Sequence, residues 1–140
     1  MRRPRIIAHR GNLEGPDPTP LSNRENRVET INKCLGLGFD VECDVWLKGD
    51  TFYLGHDRPI TALLGEQEQD ILGNRLIWKH AKNFEALAAL IKAGQGPTFW
   101  HEEDQYTITS CGYIWTHYRS SHASLRYLHR LSHGSEGSDG

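Results

Sequence analysis

No apolar run in this 140-residue chain comes near the about 18 residues that a membrane-spanning helix needs. The start passes from Arg2 and Arg3 through a very short Ile6-Ile7-Ala8 before turning polar, which reads as neither signal peptide nor anchor. An excess of one charge is also missing, since 16 Lys and Arg stand against 18 Asp and Glu for a formal charge of −2. A basic face for nucleic acid is therefore not expected; the local clusters Arg2, Arg3, Arg5 and Arg119, Arg126, Arg130 read as solvated ends. Cysteine is scarce, and Cys34, Cys43 and Cys111 have neither metal-type spacing nor the even number that full pairing requires. They read as reduced thiols, and the expected location is cytoplasmic. Length is short as well. At roughly 31 residues per βα unit, about 250 over eight units, the chain holds about four and a half units, which excludes an average closed eightfold barrel.

What is present is a series of strand-length apolar segments divided by turns or by helical periodicity. Strands are expected at Arg5 to His9, Phe39 to Trp46, Thr51 to His56, Leu76 to Lys79, Thr98 to His101 and Tyr113 to Thr116. A helix is expected from Arg24 to Leu37, with Asn23 as cap and Val28, Ile31 and Leu35 at helical spacing. A second is expected after Asn83, with Phe84, Leu87, Leu90 and Ile91 as its buried stripe. Ile60 to Asn74 is ambiguous between helix and loop, because Gly65 and Gly73 interrupt its leucines and isoleucine. The fold class is α/β with buried parallel strands, about six in all, over residues 1–118. Residues 119–140, rich in Ser, Gly and His, read as a weakly helical to disordered tail. Its histidines, with His117, share no convincing face for a metal, and the four tryptophans read as core.

Three clusters carry chemistry. His9-Arg10-Gly11 stands where the first strand runs into a Pro-rich loop, the end at which α/β folds bind ligands. There His moves a proton near neutrality and Arg forks onto phosphate oxygens. In the second cluster, Glu42 and Asp44 are two apart, so in a strand both carboxylates point to one face while Val41, Cys43 and Val45 point to the other. Carboxylates aimed at one point repel unless a cation lies between them, and a hard ion such as Mg²⁺ or Ca²⁺ suits oxygen ligands. The third is Gly55-His56-Asp57, brought beside the acidic pair by a hairpin around Lys48-Gly49-Asp50-Thr51. Opposed residue numbers there sum to 98–100, leaving open which of His56 and Asp57 shares the carboxylate face.

His9-Arg10-Gly11, Glu25-Asn26, Glu42-x-Asp44 and His56-Asp57, in that order over residues 5–57, resemble the N-terminal half of the glycerophosphodiester phosphodiesterases. The resemblance implies a TIM-barrel-like fold of the phosphatidylinositol-phospholipase type, here shortened or incomplete, and metal-assisted hydrolysis of a phosphodiester in lipid metabolism. It implies His9 and His56 as the acid/base pair, Glu42 and Asp44 as metal ligands, and Arg10 and Lys82 as phosphate contacts. Arg27 stands where the family has Thr after Glu-Asn. The family's next strand carries Glu-x-Lys, whose Glu is the third ligand; here His80-Ala81-Lys82 occupies that place. The third ligand is thus His80, Glu102 or Glu103.

The expected activity is a phosphoric diester hydrolase acting on a small glycerophosphodiester-like molecule, with the loop Asn12 to Asn23 as a partial lid. The same groups also serve a lyase that stops at a cyclic phosphate. The rival from another class is a shortened, inactive homologue that binds anions or is structural. No nucleic acid or membrane span is expected, and an open sheet edge invites a homo-oligomer.

Overall fold

The computed structural model describes residues 5–15, 19, 24–104 and 106–116. The tail 119–140, Asn23, His117 and most of the expected lid lie outside the described residues.

The architecture is mixed α/β. Strands β1 (Ile7–Ala8), β2 (Asp40–Lys48), β3 (Thr51–Leu54), β4 (Thr61–Ala62), β5 (Ile77–Ala81) and β6 (Thr98–Phe99) form one six-stranded mixed sheet, and β7 (Tyr106–Ile108) pairs with β8 (Ile114–Thr116) in a separate hairpin. Helices α1 (Val28–Gly36), α2 (Glu66–Leu72) and α3 (Phe84–Ala93) intervene. The long β2 is the spine: β5 runs parallel along one side, β1 pairs in parallel with its start, and β3 pairs antiparallel with its end. β6 extends β5 in parallel, and β4 extends β3. Among the described residues the sheet does not close into a barrel.

The two faces of the sheet differ in chemistry. Val41, Cys43 and Val45 of β2 and Ile77 and Ala81 of β5 join Ile31, Cys34, Ile71, Leu72, Ala86 and Leu90 of the helices in one apolar core. Neighbouring residues alternate to the other face, where Glu42, Asp44, Trp78 and His80 are all buried. There the β7–β8 hairpin supplies a cover, with Trp115 stacked 4.5 Å from Phe99 and Tyr113 edge-on to Trp78 at 5.2 Å. Trp78 Nε1 donates to Asp40 Oδ2 at 2.9 Å, so this buried indole leaves no polar atom unmet.

Several expectations need correction. Helix α1 begins at Val28 rather than Arg24, because Asn26 takes a left-handed φ of 54° that a helix cannot contain. In α3 the buried face is Ala86 and Leu90, one turn apart; Phe84, roughly 200° around the helix from Ala86, is 72% exposed, and Ile91 is 54% exposed. Asn83 does cap this helix, accepting from Ala86 N–H. The ambiguous Ile60–Asn74 stretch contains both β4 and α2, and β7 was not expected, its short segment showing outward Tyr106 and Ile108 instead of a clean apolar face.

Lys79 has no counterpart in the sequence reading. It is buried on the helix side of β5, and its ammonium donates to the carbonyls of Leu72, Asn74 and Gln95 at 2.9, 3.2 and 3.0 Å. These carbonyls lie at and just beyond the ends of α2 and α3, where helices leave acceptors unmet and favour a cation.

Candidate functional site

The site forms where the carboxyl ends of β1 and β5 meet the middle of β2. His9, Arg10 and Gly11 make one tight turn directly after β1, with Arg10 at φ 53°. That turn aims the Arg10 backbone N–H at Glu42 Oε2, 2.9 Å away, and brings His9 Nε2 within 3.8 Å of the same oxygen. Gly11 packs on α1 so tightly that a Cβ would lie 2.8 Å from Ile31 Cγ1, which fixes the turn against the core. The Arg10 guanidinium donates to Glu25 Oε2 at 2.8 Å, and its Nε lies 3.7 Å from Asp44 Oδ2 without a hydrogen bond.

In the parallel β2–β5 register Asp44 is opposite His80 and Glu42 opposite Trp78. His80 Nδ1 therefore reaches Asp44 Oδ1 at 3.0 Å and Glu42 Oε1 at 3.9 Å. Lys82, just past the end of β5, lies with Nζ 3.8 Å from Asp44 Oδ1. Glu42, Asp44 and His80 each offer one ligand atom within 4.8 Å of the others, and all three residues are buried. Of the three candidates for a third ligand, His80 is the one that joins the carboxylates in this group; Glu102 borders the adjoining cleft and Glu103 is exposed.

Burial, reinforced by the charge of Asp44, raises the Glu42 carboxyl to about 8, against the pull of the Arg10 N–H and the Arg10 and Lys82 charges. Asp44 moves the other way. Burial acts upward on it, but the His80 imidazole facing it, a hydrogen bond from Asn26 and the charge of Lys82 hold it below the usual aspartate range. Arg10 is depressed by burial and raised on balance by Glu25, Asp44 and Glu42. The two neighbouring carboxyls are thus shifted in opposite directions.

The hairpin register sums to 99, with Val45 opposite Leu54. Continued, it would put Asp57 opposite Glu42, but the ladder ends at Leu54 and the chain turns at Gly55, whose φ is 154°. Trp46 Nε1 donates to Gly55 O at 2.7 Å and secures the turn. His56 is thereby delivered to a cleft of about 250 Å³ that it lines with His80, Lys82, Trp100, His101 and Glu102. His56 Nδ1 is 2.7 Å from Asp57 Oδ1, an arrangement that orients the imidazole. His9 stands on the Glu42 side and is not among the residues lining that cleft.

Two contributors to the site carry no role legible in the sequence. Asn26, part of the Glu25-Asn26 motif and inside the expected helix, instead binds Asp44 at two points; besides the motif, the sequence signal is that Asn adopts left-handed φ more readily than most residues. His101 stacks on His80 at 4.6 Å and accepts from His80 Nε2 through its carbonyl at 3.1 Å. Nothing in its sequence neighbourhood ties it to His80.

Comparison of the chain with protein-family models, with curated proteins and with solved structures gave no match. The described residues contain no helix long and apolar enough to cross a membrane.

Proposed function

We propose that the chain is a metal-dependent phosphoric diester hydrolase of the glycerophosphodiester phosphodiesterase type, built on an incomplete TIM-barrel-like sheet and acting on a small glycerophosphodiester-like substrate. The observation that carries this reading is the convergence of Glu42, Asp44 and His80 with Arg10 and Lys82 where β1 and β5 end beside the middle of β2. The donor set fits a divalent cation. Asp44 Oδ1 is buried with no hydrogen bond, and the two carboxylates and the imidazole face one another over less than 4.8 Å.

Glu42, Asp44 and His80 would hold the ion, which when bound supplies charge neutralisation at a phosphoryl oxygen. Arg10 keeps an unmet buried Nε–H, and Lys82 stands at the cleft wall; both suit the remaining phosphate oxygens. His56, oriented by Asp57, is a proton carrier on the cleft side, and His9 beside Glu42 is a second on the other. A nucleophile, water or a substrate hydroxyl, loses its proton to one imidazole while the leaving alkoxide gains one from the other. A cytoplasmic setting, with the three thiols reduced, belongs to the same proposal.

The test is hydrolysis of bis(4-nitrophenyl) phosphate by metal-loaded and chelator-treated protein, alongside His9→Ala and Glu42→Ala. Loss of turnover with chelator and a fall of about 100- to 10,000-fold in either variant is expected. Chelator-insensitive turnover, or turnover surviving both substitutions, rejects the mechanism.

Two observations favour the second reading, an inactive anion-binding homologue: the sheet is open among the described residues, and His9 and His56 do not line one cleft. Well-folded protein that binds phosphate without turnover would select it. An open edge also suits a homo-oligomer, which sedimentation would detect.

A further inference from the structure

We infer that His80 sets which metal this centre takes, making it selective for borderline first-row cations such as Co²⁺ and Zn²⁺ over the hard ions Mg²⁺ and Ca²⁺, with Mn²⁺ between the two groups. The inference rests on the metal centre of the preceding reading and not on its reaction.

The argument starts from a tautomer. His80 Nε2 lies 3.1 Å from the carbonyl oxygen of His101, which can only accept, so Nε2 carries a hydrogen. The ring is held between Phe99, stacked at 4.9 Å and 10°, and His101, stacked at 4.6 Å and 7°. A ring flip would forfeit the Nε2 hydrogen bond. Nδ1 is thereby committed to the acidic pair, 3.0 Å from Asp44 Oδ1 and 3.9 Å from Glu42 Oε1. A lone pair aimed at two carboxylate oxygens in a buried site is repulsive unless a proton or a metal ion lies between them.

The carboxylate side is prepared in the same way. Asp44 Oδ2 is tied by Asn26 at 2.9 Å, while Oδ1 is buried and makes no hydrogen bond. One oxygen positions the group and the other is left for an occupant. The carbonyl behind His80 acts as the outer partner that fixes ring orientation in imidazole–metal sites. The resulting set is two carboxylate oxygens and one imidazole nitrogen. Ca²⁺ takes six to eight oxygens and Mg²⁺ an octahedron of them, so an obligatory nitrogen is a poor exchange for either. Imidazole suits Zn²⁺ and its first-row neighbours, for which affinity also rises along the Irving–Williams order.

The test uses the full chain, stripped with chelator and titrated separately with Zn²⁺, Co²⁺, Mn²⁺, Mg²⁺ and Ca²⁺ by calorimetry. Co²⁺ absorption and the ¹⁵N shift of His80 Nδ1 on adding Zn²⁺ serve as direct readouts of ligation. Zn²⁺ and Co²⁺ are expected to bind one per chain, abolished by Glu42→Gln, and to exceed Mg²⁺ and Ca²⁺ by more than the about 10- to 100-fold that even an outer-shell partner contributes. His80→Gln, with its fold checked by circular dichroism, should lose most Zn²⁺ affinity, and His80→Glu should shift preference toward Mg²⁺ and Ca²⁺. Equal or tighter Mg²⁺ or Ca²⁺ binding at Glu42, an unmoved His80 Nδ1 resonance, or full Zn²⁺ affinity in His80→Gln overturns the selectivity while leaving the metal centre standing. Binding of none of the five ions overturns both, with a proton as the sole occupant between His80 and Asp44.

Discussion

Asn26 holds Asp44 at two points: its amide oxygen accepts from the Asp44 backbone N–H at 2.8 Å, and its amide nitrogen donates to Asp44 Oδ2 at 2.9 Å. The reason lies in the sheet. On this side of β2 the β1 ladder ends at Val41 and the β3 ladder reaches back only to Gly55 N–H on Asp44 O, so the Asp44 N–H falls in the gap between them. An amide side chain fills the gap and fixes a carboxylate of the candidate metal site in one stroke. Asn26→Ala should cost about 3 kcal/mol through the stranded buried N–H and carboxylate oxygen. Asn26→Gly should be milder by about 1 kcal/mol, since it removes the left-handed strain at φ 54° but not the lost bonds. Urea unfolding of both variants measures this, and equal stabilities would remove the strain component.

The raised Glu42 carboxyl has a signed consequence for stability. Burial and the Asp44 charge move it from 4.5 to about 8, so between those values the folded protein binds a proton that the unfolded chain has released. Stability of chelator-treated protein should therefore be fullest below about pH 4.5 as regards this group and fall as pH rises toward 8, by up to about 1.4 kcal/mol per pH unit. Glu42→Gln should flatten that slope. Because ligation needs the carboxylate, the stabilisation given by a bound cation should grow across the same window. Thermal unfolding against pH, with and without metal, reads both effects.

Gly55 ends the hairpin ladder and sends His56 to the cleft. A Cβ there would sit 2.0 Å from the Arg58 carbonyl oxygen, at a φ of 154° that side chains avoid. Gly55→Ala should cost about 3 kcal/mol and reduce turnover more than stability loss alone explains, by displacing His56. Turnover measured well below the melting temperature separates the two.

Lys79 should be far more important for stability than its charge would suggest at the surface. Lys79→Met strands three carbonyls at the ends of α2 and α3 and should cost about 3 kcal/mol, seen in denaturant unfolding. Burial lowers its ammonium to about 8. The three acceptors nevertheless match the three N–H donors of the charged form. Cation affinity at Glu42 and Asp44, on the opposite face of the sheet, should be unchanged in folded Lys79→Met.

Much of the local order could be read from the chain. The two-residue period of β2 put Glu42 and Asp44 on one face and Val41, Cys43 and Val45 on the other, because strand geometry alone imposes that alternation. The turn at Lys48-Gly49-Asp50-Thr51 and a register sum of 98–100 followed from hairpin geometry, and the observed sum of 99 lies within that range. Asn83 announced the start of α3 through its capping chemistry.

What pattern could not specify was every relationship between segments that are distant in sequence. His80 meets Asp44 because β5 lies beside β2 in one parallel register; a slip of one residue would have pointed Lys79 at the carboxylates. Helix α3 turned Leu90 inward as its spacing predicts, but joined it with Ala86 and left Phe84 and Ile91 outside, because the sheet fixed its rotation. Asn26 left the helical pattern to meet a backbone donor across the gap between two ladders. The sequence by itself determined the acidic pair, its strand face and the hairpin that follows, all set by geometry within a few residues. The tertiary structure decided which of His80, Glu102 and Glu103 joins the acidic pair, which ring nitrogen of His80 faces it and where His9 and His56 stand around it, because these depend on the register of strands that meet only after folding.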